Sequence, residues 1–179
     1  MRIIAGAHKG RRLKAPTWTG LRPTSDKLRE TLFNVIAARV PDARVLDVFA
    51  GSGAIGLEAL SRGASRAVFI EEDRRAVQLI EDNAVLCGVR ERCVIIRDAA
   101  GHALQKPIDG DPFDLVMLDP PYEFDALAEI LDAAASHLAQ GGLVILEHAA
   151  RRTPPVVSGA HSLRSVRSGD SALTLFEGR

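Results

Sequence analysis

Five short hydrophobic runs alternate with longer segments of helical period between residues 43 and 149. The runs are residues 44–48, 67–71, 93–97, 113–119 and 142–148. They are rich in Val, Ile and Leu and almost unbroken by polar residues, which is typical of strands covered on both faces. Between them, apolar residues recur every three or four positions in residues 54–62, 73–86 and 125–139. These segments predict three helices, while the gap 98–112 has room for a short helix at most.

Strands that alternate with helices predict right-handed crossovers and therefore an α/β fold with a doubly wound, mostly parallel sheet. Residues 25–39 predict an earlier helix, because Leu28, Leu32 and Ile36 share one helical face and a proline follows at position 41. Near the C-terminus, residues 161–167 and 172–177 alternate in polarity around a Ser-Gly-Asp turn. We expect this hairpin to add one antiparallel strand to the sheet.

Composition limits the class of protein. The chain has 179 residues, 46% of them hydrophobic, which fits one globular domain. No apolar run approaches the roughly 20 residues of a membrane span, and the first residues have no secretory signal pattern. The two cysteines, Cys87 and Cys93, suit a reducing compartment, and the histidines and cysteines have no metal-ligand spacing. We expect a cytoplasmic protein with no membrane partner and no metal.

A net charge of zero conceals an uneven distribution. Residues 1–25 contain no Asp or Glu, and their basic residues are Arg2, Lys9, Arg11, Arg12, Lys14 and Arg22. We therefore divide the chain into a basic N-terminal arm, residues 1–22, expected to be a β-hairpin, and a domain formed by residues 23–179. A basic arm on an acidic body is typical of proteins that bind a polyanion. A solvated basic tail without a partner explains the same charges equally well.

A glycine-rich segment follows the first predicted strand. Gly51, Gly53 and Gly56 form a G-x-G-x-x-G pattern at the start of a predicted helix, where backbone approaches a ligand closely. By itself the pattern also fits a dinucleotide site of the Rossmann type.

Acidic residues near this loop favour a different ligand. Asp47 lies in the strand just before the loop, where a carboxylate repels a pyrophosphate but holds an ammonium group. Glu71 ends the second strand, where it can accept hydrogen bonds from both ribose hydroxyls. Both features suit S-adenosylmethionine, which has a ribose and an ammonium but no phosphate.

The end of the third strand supplies candidates for the adenine. Asp98 can accept from the adenine amino group, and the backbone N–H of Ala99 can donate to the ring. Capping of the following short helix explains Asp98 equally well. The acids Glu71 and Glu72 are neighbours, and we choose Glu71 because it ends the hydrophobic run.

A candidate catalytic motif, Asp119-Pro120-Pro121-Tyr122, ends the fourth strand. Two prolines make the loop stiff, so that Asp119 and the Pro120 carbonyl can accept both hydrogens of one amino group. Tyr122 offers a flat face for a nucleobase. Oriented in this way, an exocyclic amine can attack a methyl group. A Pro-Pro turn with a half-buried tyrosine is the structural alternative.

The motifs DVFAGSG and DPPY, in this order, resemble class I methyltransferases that use S-adenosylmethionine to methylate exocyclic amines of nucleobases. RIIAG and GRRL near the N-terminus, Arg22-Pro23-Thr24, RETLF at 29–33 and GLEALSRGA at 56–64 are similar to one subfamily over essentially the whole chain. This subfamily is the RsmD family of bacterial 16S ribosomal RNA (guanine-N2) methyltransferases.

The resemblance implies roles for individual residues. The cofactor would be bound by Asp47, Ala50, Gly51, Gly53, Glu71, Asp98 and Ala99. Asp119, Pro120, Pro121 and Tyr122 would hold the target base. RNA contacts are expected from Lys9, Arg11, Arg12 and Arg22.

The hypothesis is therefore methyl transfer to the 2-amino group of a guanine in 16S rRNA. The expected partner is the small ribosomal subunit or its assembly intermediate, bound by a monomer. The alternatives are a DNA adenine-N6 or cytosine-N4 methyltransferase, a protein glutamine methyltransferase and a nucleic-acid-binding module without catalysis. The intact Asp119 and its prolines disfavour the last two.

Overall fold

Seven strands form one sheet in the computed structural model, which describes residues 1–18, 25–109, 111–121 and 124–178. They are β1 (Arg44–Val48), β2 (Arg66–Glu71), β3 (Cys93–Arg97), β4 (Phe113–Leu118), β5 (Leu138–Ala149), β6 (Ala160–Ser168) and β7 (Ser171–Gly178). Their spatial order is β3-β2-β1-β4-β5-β7-β6. Within the described residues, β7 alone runs against the other strands, pairing antiparallel with both β5 and β6. The predicted fold, including its one reversed strand, is confirmed.

Helices cover both faces of this sheet. They are α1 (Asp26–Val35), α2 (Ala54–Ser61), α3 (Arg74–Cys87), α4 (Ala100–Ala103) and α5 (Leu127–Ala135). The core on one face joins α1, α2 and α3 to alternate strand residues such as Val45, and α4 and α5 pack with Leu46 and its neighbours on the other face. In the part of the chain that is described, no helix has the length and hydrophobicity needed to cross a bilayer.

Two predicted helices are shorter than their sequence pattern. The predicted helix 125–139 ends at Ala135, because β5 already begins at Leu138 and its pairing with β4 shifts register between Phe113 and Leu115. The predicted helix 25–39 ends at Val35 and continues as a short 3₁₀ turn over Ala37–Arg39. At its start, the Ser25 hydroxyl accepts a hydrogen bond from the Leu28 N–H at 3.1 Å.

The parallel strands fix where a site can form. β1, β2 and β4 are neighbours, and their carboxyl ends at Val48, Glu71 and Leu118 therefore meet at one edge of the sheet. Ligands of doubly wound folds bind in the crevice outside this carboxyl edge. The candidate residues that follow these strands in the sequence are thus brought to a common region.

The N-terminal arm folds back on itself around one antiparallel bridge between Arg2 and Arg12. The Ile3 N–H donates to the Arg11 carbonyl, and the Gly10 N–H donates to the Ile3 carbonyl, both at 2.9 Å. Ile3 and Leu13 are buried in the core beside α1 and α2. The arm is thus integrated with the body through its apolar side chains, while its basic side chains face outward.

Backbone groups of the arm bind α2. The N–H groups of Ile4 and Ala5 donate to the two carboxylate oxygens of Glu58 at 2.8 and 3.0 Å. The Ala7 N–H donates to the Ser61 carbonyl at 2.7 Å. Since Glu58 is fully buried, these bonds replace the water that its carboxylate loses on folding.

A buried arginine joins the arm to α1. Arg29 is 0% exposed, and its Nη2 donates to the Arg2 carbonyl at 2.6 Å and to Asp26 Oδ1 at 3.0 Å. Its Nε lies 3.8 Å from Glu58 Oε2. Removing one member of such a buried pair leaves an uncompensated charge, which destabilises strongly. The arm therefore binds both members of the Arg29–Glu58 ion pair, which joins α1 to α2.

Two glycines of the arm provide a matched test of this docking. Gly6 and Gly10 have φ values of +84° and +82°, but a Cβ on Gly6 would lie 1.9 Å from the Ser61 carbonyl oxygen, whereas Gly10 has open space. We expect Gly10→Ala to lower the free energy of unfolding by about 1–2 kcal/mol, the cost of a left-handed alanine. Gly6→Ala adds a backbone clash and should lower it by about 3 kcal/mol or more. Urea unfolding measures both, and equal losses would contradict the docked arm.

Candidate active site

The loop between β1 and α2 is wound tightly by residues of positive φ. Gly51 and Gly53 have φ values of +55° and +75°, and the Gly53 N–H donates to the Ala50 carbonyl at 2.7 Å. Phe49 also has a positive φ, +64°, a strained conformation for a residue with a side chain. Its ring packs edge-on against Phe124, with centroids 5.3 Å apart. This contact joins the glycine loop to the segment that follows the catalytic motif.

Asp47 lies beneath the glycine loop with 2% exposure. Its Oδ2 accepts a hydrogen bond from the Gly56 N–H in the first turn of α2 at 3.0 Å. The pKa of Asp47 is raised to about 8, mainly by burial and also by the negative charges of Asp119 and Glu71, while the Gly56 bond acts to lower it. A cation that neutralised this carboxylate would therefore be favoured here.

Glu71 braces the loop from the end of β2. Its Oε2 accepts from the Gly51 N–H at 2.8 Å, and its Oε1 accepts from the Asp73 N–H at 2.9 Å. Glu71 is buried, whereas its neighbour Glu72 is exposed. Each carboxylate oxygen has a second lone pair, so hydroxyl groups of a ligand can still donate to Glu71.

Asn83, which the sequence reasoning missed, holds the loop from α3. Its Nδ2 donates to the carbonyls of Ser52 and Lys14, each at 3.1 Å, and its Oδ1 accepts from the Lys14 N–H at 2.8 Å. The residue is fully buried on the apolar face of α3, beside Ile80 and Ala84. An amide on such a face needs bonding partners, and this was the available signal in the sequence.

Asp98, after β3, is engaged by its own surroundings. Its carboxylate accepts from the Ala99 N–H at 2.9 Å, from His102 Nδ1 at 2.7 Å and from Lys106 Nζ at 3.4 Å. The bond from His102 is the largest cause of a lowered Asp98 pKa. The Ala99 N–H, expected to face an adenine ring, thus donates to Asp98 instead. The adenine-binding roles of both residues stay predictions.

The candidate catalytic motif follows β4 at the same edge of the sheet. Asp119 is half-buried, Pro120 is buried and Pro121 is exposed, while Tyr122 lies outside the described residues. The Pro121 carbonyl accepts from the Phe124 N–H at 3.0 Å, so this carbonyl is used within the loop.

The candidate RNA-binding residues of the arm differ in their surroundings. Lys9 and Arg12 are exposed, and neither side chain is bonded to another of the described residues. Arg11 donates to the Leu86 carbonyl near the end of α3 at 2.8 Å. Arg22 lies outside the described residues. Lys9 and Arg12 therefore remain the best placed of the set for contact with a polyanion.

The environment of Trp18 agrees with packing of the arm on the body. The guanidinium carbon of Arg75, in the first turn of α3, lies 4.8 Å from the centre of the Trp18 ring. Arg75 also pairs with Asp73, the residue that caps α3. The described part of the arm thus ends against the start of α3.

The carboxylate groups at the carboxyl edge of the sheet fit S-adenosylmethionine. The charges acting on buried Asp47 are those of Glu71 and Asp119, and all three groups are carboxylates. A pyrophosphate would add repulsion to this cluster, whereas the ammonium and sulfonium of S-adenosylmethionine would relieve it. Its ribose hydroxyls can donate to a carboxylate such as Glu71. The site therefore disfavours the dinucleotide alternative.

Comparison with known proteins agrees with the sequence resemblance. A family model described as "Conserved hypothetical protein 95" matches residues 1–177. Ribosomal RNA small subunit methyltransferase D of Escherichia coli K12 is 39% identical over 180 residues, covering 99% of this chain and 89% of that protein. The solved structure of Escherichia coli yhhF superposes with a TM-score of 0.89 and 34% identity, covering 100% of this chain and 98% of that one.

A more distant structure has the same fold. It is an RNA methyltransferase from Salinibacter ruber in complex with S-adenosyl-L-homocysteine, with a TM-score of 0.67 and 18% identity. It covers 87% of this chain and 93% of that chain.

The raised pKa of Asp47 predicts how stability depends on pH. Between an unfolded pKa of about 3.9 and a folded pKa of about 8, the folded state holds one more proton, so stability falls as the pH rises. Asp47→Asn removes this dependence and keeps an oxygen that can accept from Gly56. The free energy of unfolding of the variant, relative to wild type, should therefore increase from about pH 5 to about pH 8, by at most about 1.4 kcal/mol per pH unit. Urea titrations at several pH values measure it, and a constant difference would refute the shifted pKa.

Proposed function

Since the chain belongs to the RsmD family of ribosomal RNA methyltransferases, we propose that it methylates the 2-amino group of a guanine in small-subunit ribosomal RNA. The observation that carries this proposal is the position of Asp119-Pro120-Pro121 at the end of β4, beside the β1 loop and close enough for Asp119 to act on the pKa of Asp47. An amine-methylation motif and a cation-binding loop thus share one edge of the sheet.

The methyl donor of the proposed reaction is S-adenosylmethionine, which supplies an electrophilic methyl group on a sulfonium. We propose that Asp47 attracts its ammonium and that Glu71 accepts from its ribose hydroxyls. Ala50, Gly51 and Gly53 contribute the close backbone of the loop, and Asp98 with Ala99 lies at the adenine end. These assignments follow the chemistry of each group and its place at the carboxyl edge.

Asp119 and Pro120 would orient the target amine. The two N–H bonds of the 2-amino group donate to the Asp119 carboxylate and to the Pro120 carbonyl, which aims the nitrogen lone pair at the methyl carbon. The carboxylate also stabilises the positive charge that grows on nitrogen. No strong base is required, because the amine loses its proton after the new N–C bond has formed. Stacking on Tyr122 would hold the base in line.

We further propose that the substrate is a folded ribonucleoprotein, the small subunit or its assembly intermediate, bound by a monomer in the cytoplasm. Lys9 and Arg12 would contact phosphates, since both are exposed and neither side chain is bonded to a described residue. The compact body offers little surface for reading a sequence, so the shape of the particle would supply much of the recognition.

Loss of Asp119 provides the direct test of function. Wild-type protein should transfer radiolabelled methyl groups from S-adenosylmethionine to small ribosomal subunits, at the guanine 2-amino group. Asp119→Ala should lower the single-turnover rate about a hundredfold to a thousandfold, as expected when a group that stabilises developing charge is removed. Its affinity for S-adenosylhomocysteine, measured by calorimetry, should remain near that of wild type.

The same assay on duplex DNA, naked rRNA and protein separates the alternatives. Methyl transfer to DNA or protein alone would refute the proposal, and equal rates for naked rRNA and particles would refute the preference for a ribonucleoprotein. Unimpaired rates of both Asp119→Ala and Asp119→Asn would exclude the assigned role of Asp119.

The proposed RNA contacts predict a change in salt dependence. Each phosphate contact contributes about 0.7–0.9 to the slope of log affinity against log salt concentration. Replacing both Lys9 and Arg12 by Gln should therefore reduce the slope for small subunits by about 1.4–1.8. A filter-binding titration over a range of salt concentrations measures it.

A variant with the same change in charge provides the control. Arg39 and Arg66 lie at the opposite, amino edge of the sheet, where Arg66 begins β2 and pairs with Asp109. Replacing both by Gln should leave the salt slope unchanged. An equal reduction in both double variants would assign the effect to net charge rather than to the arm.

A further inference from the structure

One buried amide connects the arm to the glycine loop. Asn83 donates through the same Nδ2 to the Ser52 carbonyl in the loop and to the Lys14 carbonyl in the arm, and its Oδ1 accepts from the Lys14 N–H. Because Asn83 is fully buried, water cannot replace a bond that breaks. One side chain therefore holds both the Lys14 backbone and the Ser52 carbonyl.

A second contact joins the same two segments. The Ser52 hydroxyl lies 3.5 Å from the sulfur of Met1, whose carbonyl accepts from the Leu13 N–H next to Lys14. Ser52 stands between Gly51 and Gly53, both in the left-handed conformation, so no regular hydrogen-bonding pattern fixes its peptide. The arm thus contacts Ser52 directly as well as through Asn83.

A chain of contacts also connects Trp18, in the arm, to Gly51. Trp18 packs on Arg75, which pairs with Asp73, and the Asp73 N–H donates to Glu71. The other oxygen of Glu71 accepts from the Gly51 N–H. Neighbouring residues of the cofactor loop are therefore both linked to the arm, through separate side chains.

We propose that Asn83 is a positioning residue that couples RNA binding on the arm to cofactor binding on the glycine loop, so that each ligand increases affinity for the other. The inference rests on the proposed function, because it requires an RNA ligand for the arm. Lys9 and Arg12 belong to the arm whose Lys14 backbone Asn83 holds, and Asn83 also holds the Ser52 carbonyl of the loop, so both ligands would favour the same docked arrangement. The ligand that binds first orders this shared element, and the second then binds a protein already arranged for it.

Reciprocity makes the coupling measurable from either ligand. The ratio of the dissociation constants of S-adenosylhomocysteine without and with saturating unmethylated small subunits should be at least about fivefold for the wild type, the lower end of typical allosteric coupling. Asn83→Ala should bring this ratio to within about twofold of one. The ratio is measured at constant salt by equilibrium binding of labelled S-adenosylhomocysteine. Because this ligand has no methyl group to transfer, the ratio depends on coupling and not on catalysis.

The adjacent residue supplies a matched control. Asp82 also binds Lys14, through an exposed ion pair of 2.8 Å to its Nζ, but it has no bond to the glycine loop. Asp82→Asn should therefore keep the wild-type ratio, although it weakens the same arm residue. If Asp82→Asn brought the ratio of dissociation constants as close to one as Asn83→Ala does, general loosening of the arm would explain the result. The assignment to Asn83 would then be refuted.

Structural and coupling roles give different readouts. A lower melting temperature of Asn83→Ala with the wild-type ratio would overturn the inference, as would a wild-type ratio near one. If Asn83→Ala does not fold, Ser52→Ala removes only the contact with Met1, and its ratio should be at least about twofold below that of wild type; an unchanged ratio would overturn the coupling. If the wild type did not bind small subunits at all, the proposed function would be overturned as well. A direct measurement of that binding distinguishes this outcome from a loss of coupling alone.

Discussion

Buried carboxylates that accept backbone N–H groups are the interaction on which the rest of this structure depends. Asp47 receives the Gly56 N–H, Glu71 receives the Gly51 N–H and Glu58 receives two from the arm. A carboxylate loses much hydration free energy on burial, and only well-aligned donors compensate for it. These groups therefore hold the irregular segments, the glycine loop and the arm, which lie outside the paired strands of the sheet.

The same carboxylates tie stability to chemistry. At the carboxyl edge, burial makes the ionised form of Asp47 costly, and the charges of Glu71 and Asp119 add to that cost. A fold assembled only for stability would place apolar groups there. The cluster is instead suited to a cationic ligand, whose charge would offset the cost of ionising Asp47. Strain at Phe49 in the same loop is another sign that geometry here is set by a ligand.

The sequence predicts this molecule well wherever local pattern determines the structure. The strands, the reversed hairpin strand and the glycine loop follow from periodicity and turn residues. Of the two neighbouring acids, Glu71 is buried and bonded to the loop, while its ribose-binding role stays a prediction. Contacts between distant segments were not predictable in this way. Glu58 meets the arm across 54 positions, and Asn83 meets Ser52 across 31. Their only local signal was a polar side chain at a position whose helical neighbours are apolar.

The position of the arm's partners along the chain determines when each part can form during synthesis. Glu58, Ser61 and Asn83, which receive the arm, all precede Cys87, so the first 14 residues can dock as soon as α3 has left the ribosome. β4 joins β1 only later, and β5 reaches its final neighbours only when β7, at the end of the chain, inserts beside it. The half that surrounds the glycine loop is therefore complete before the half that carries Asp119 exists. A nascent chain would therefore complete the segment around the glycine loop first and bring Asp119 to it last.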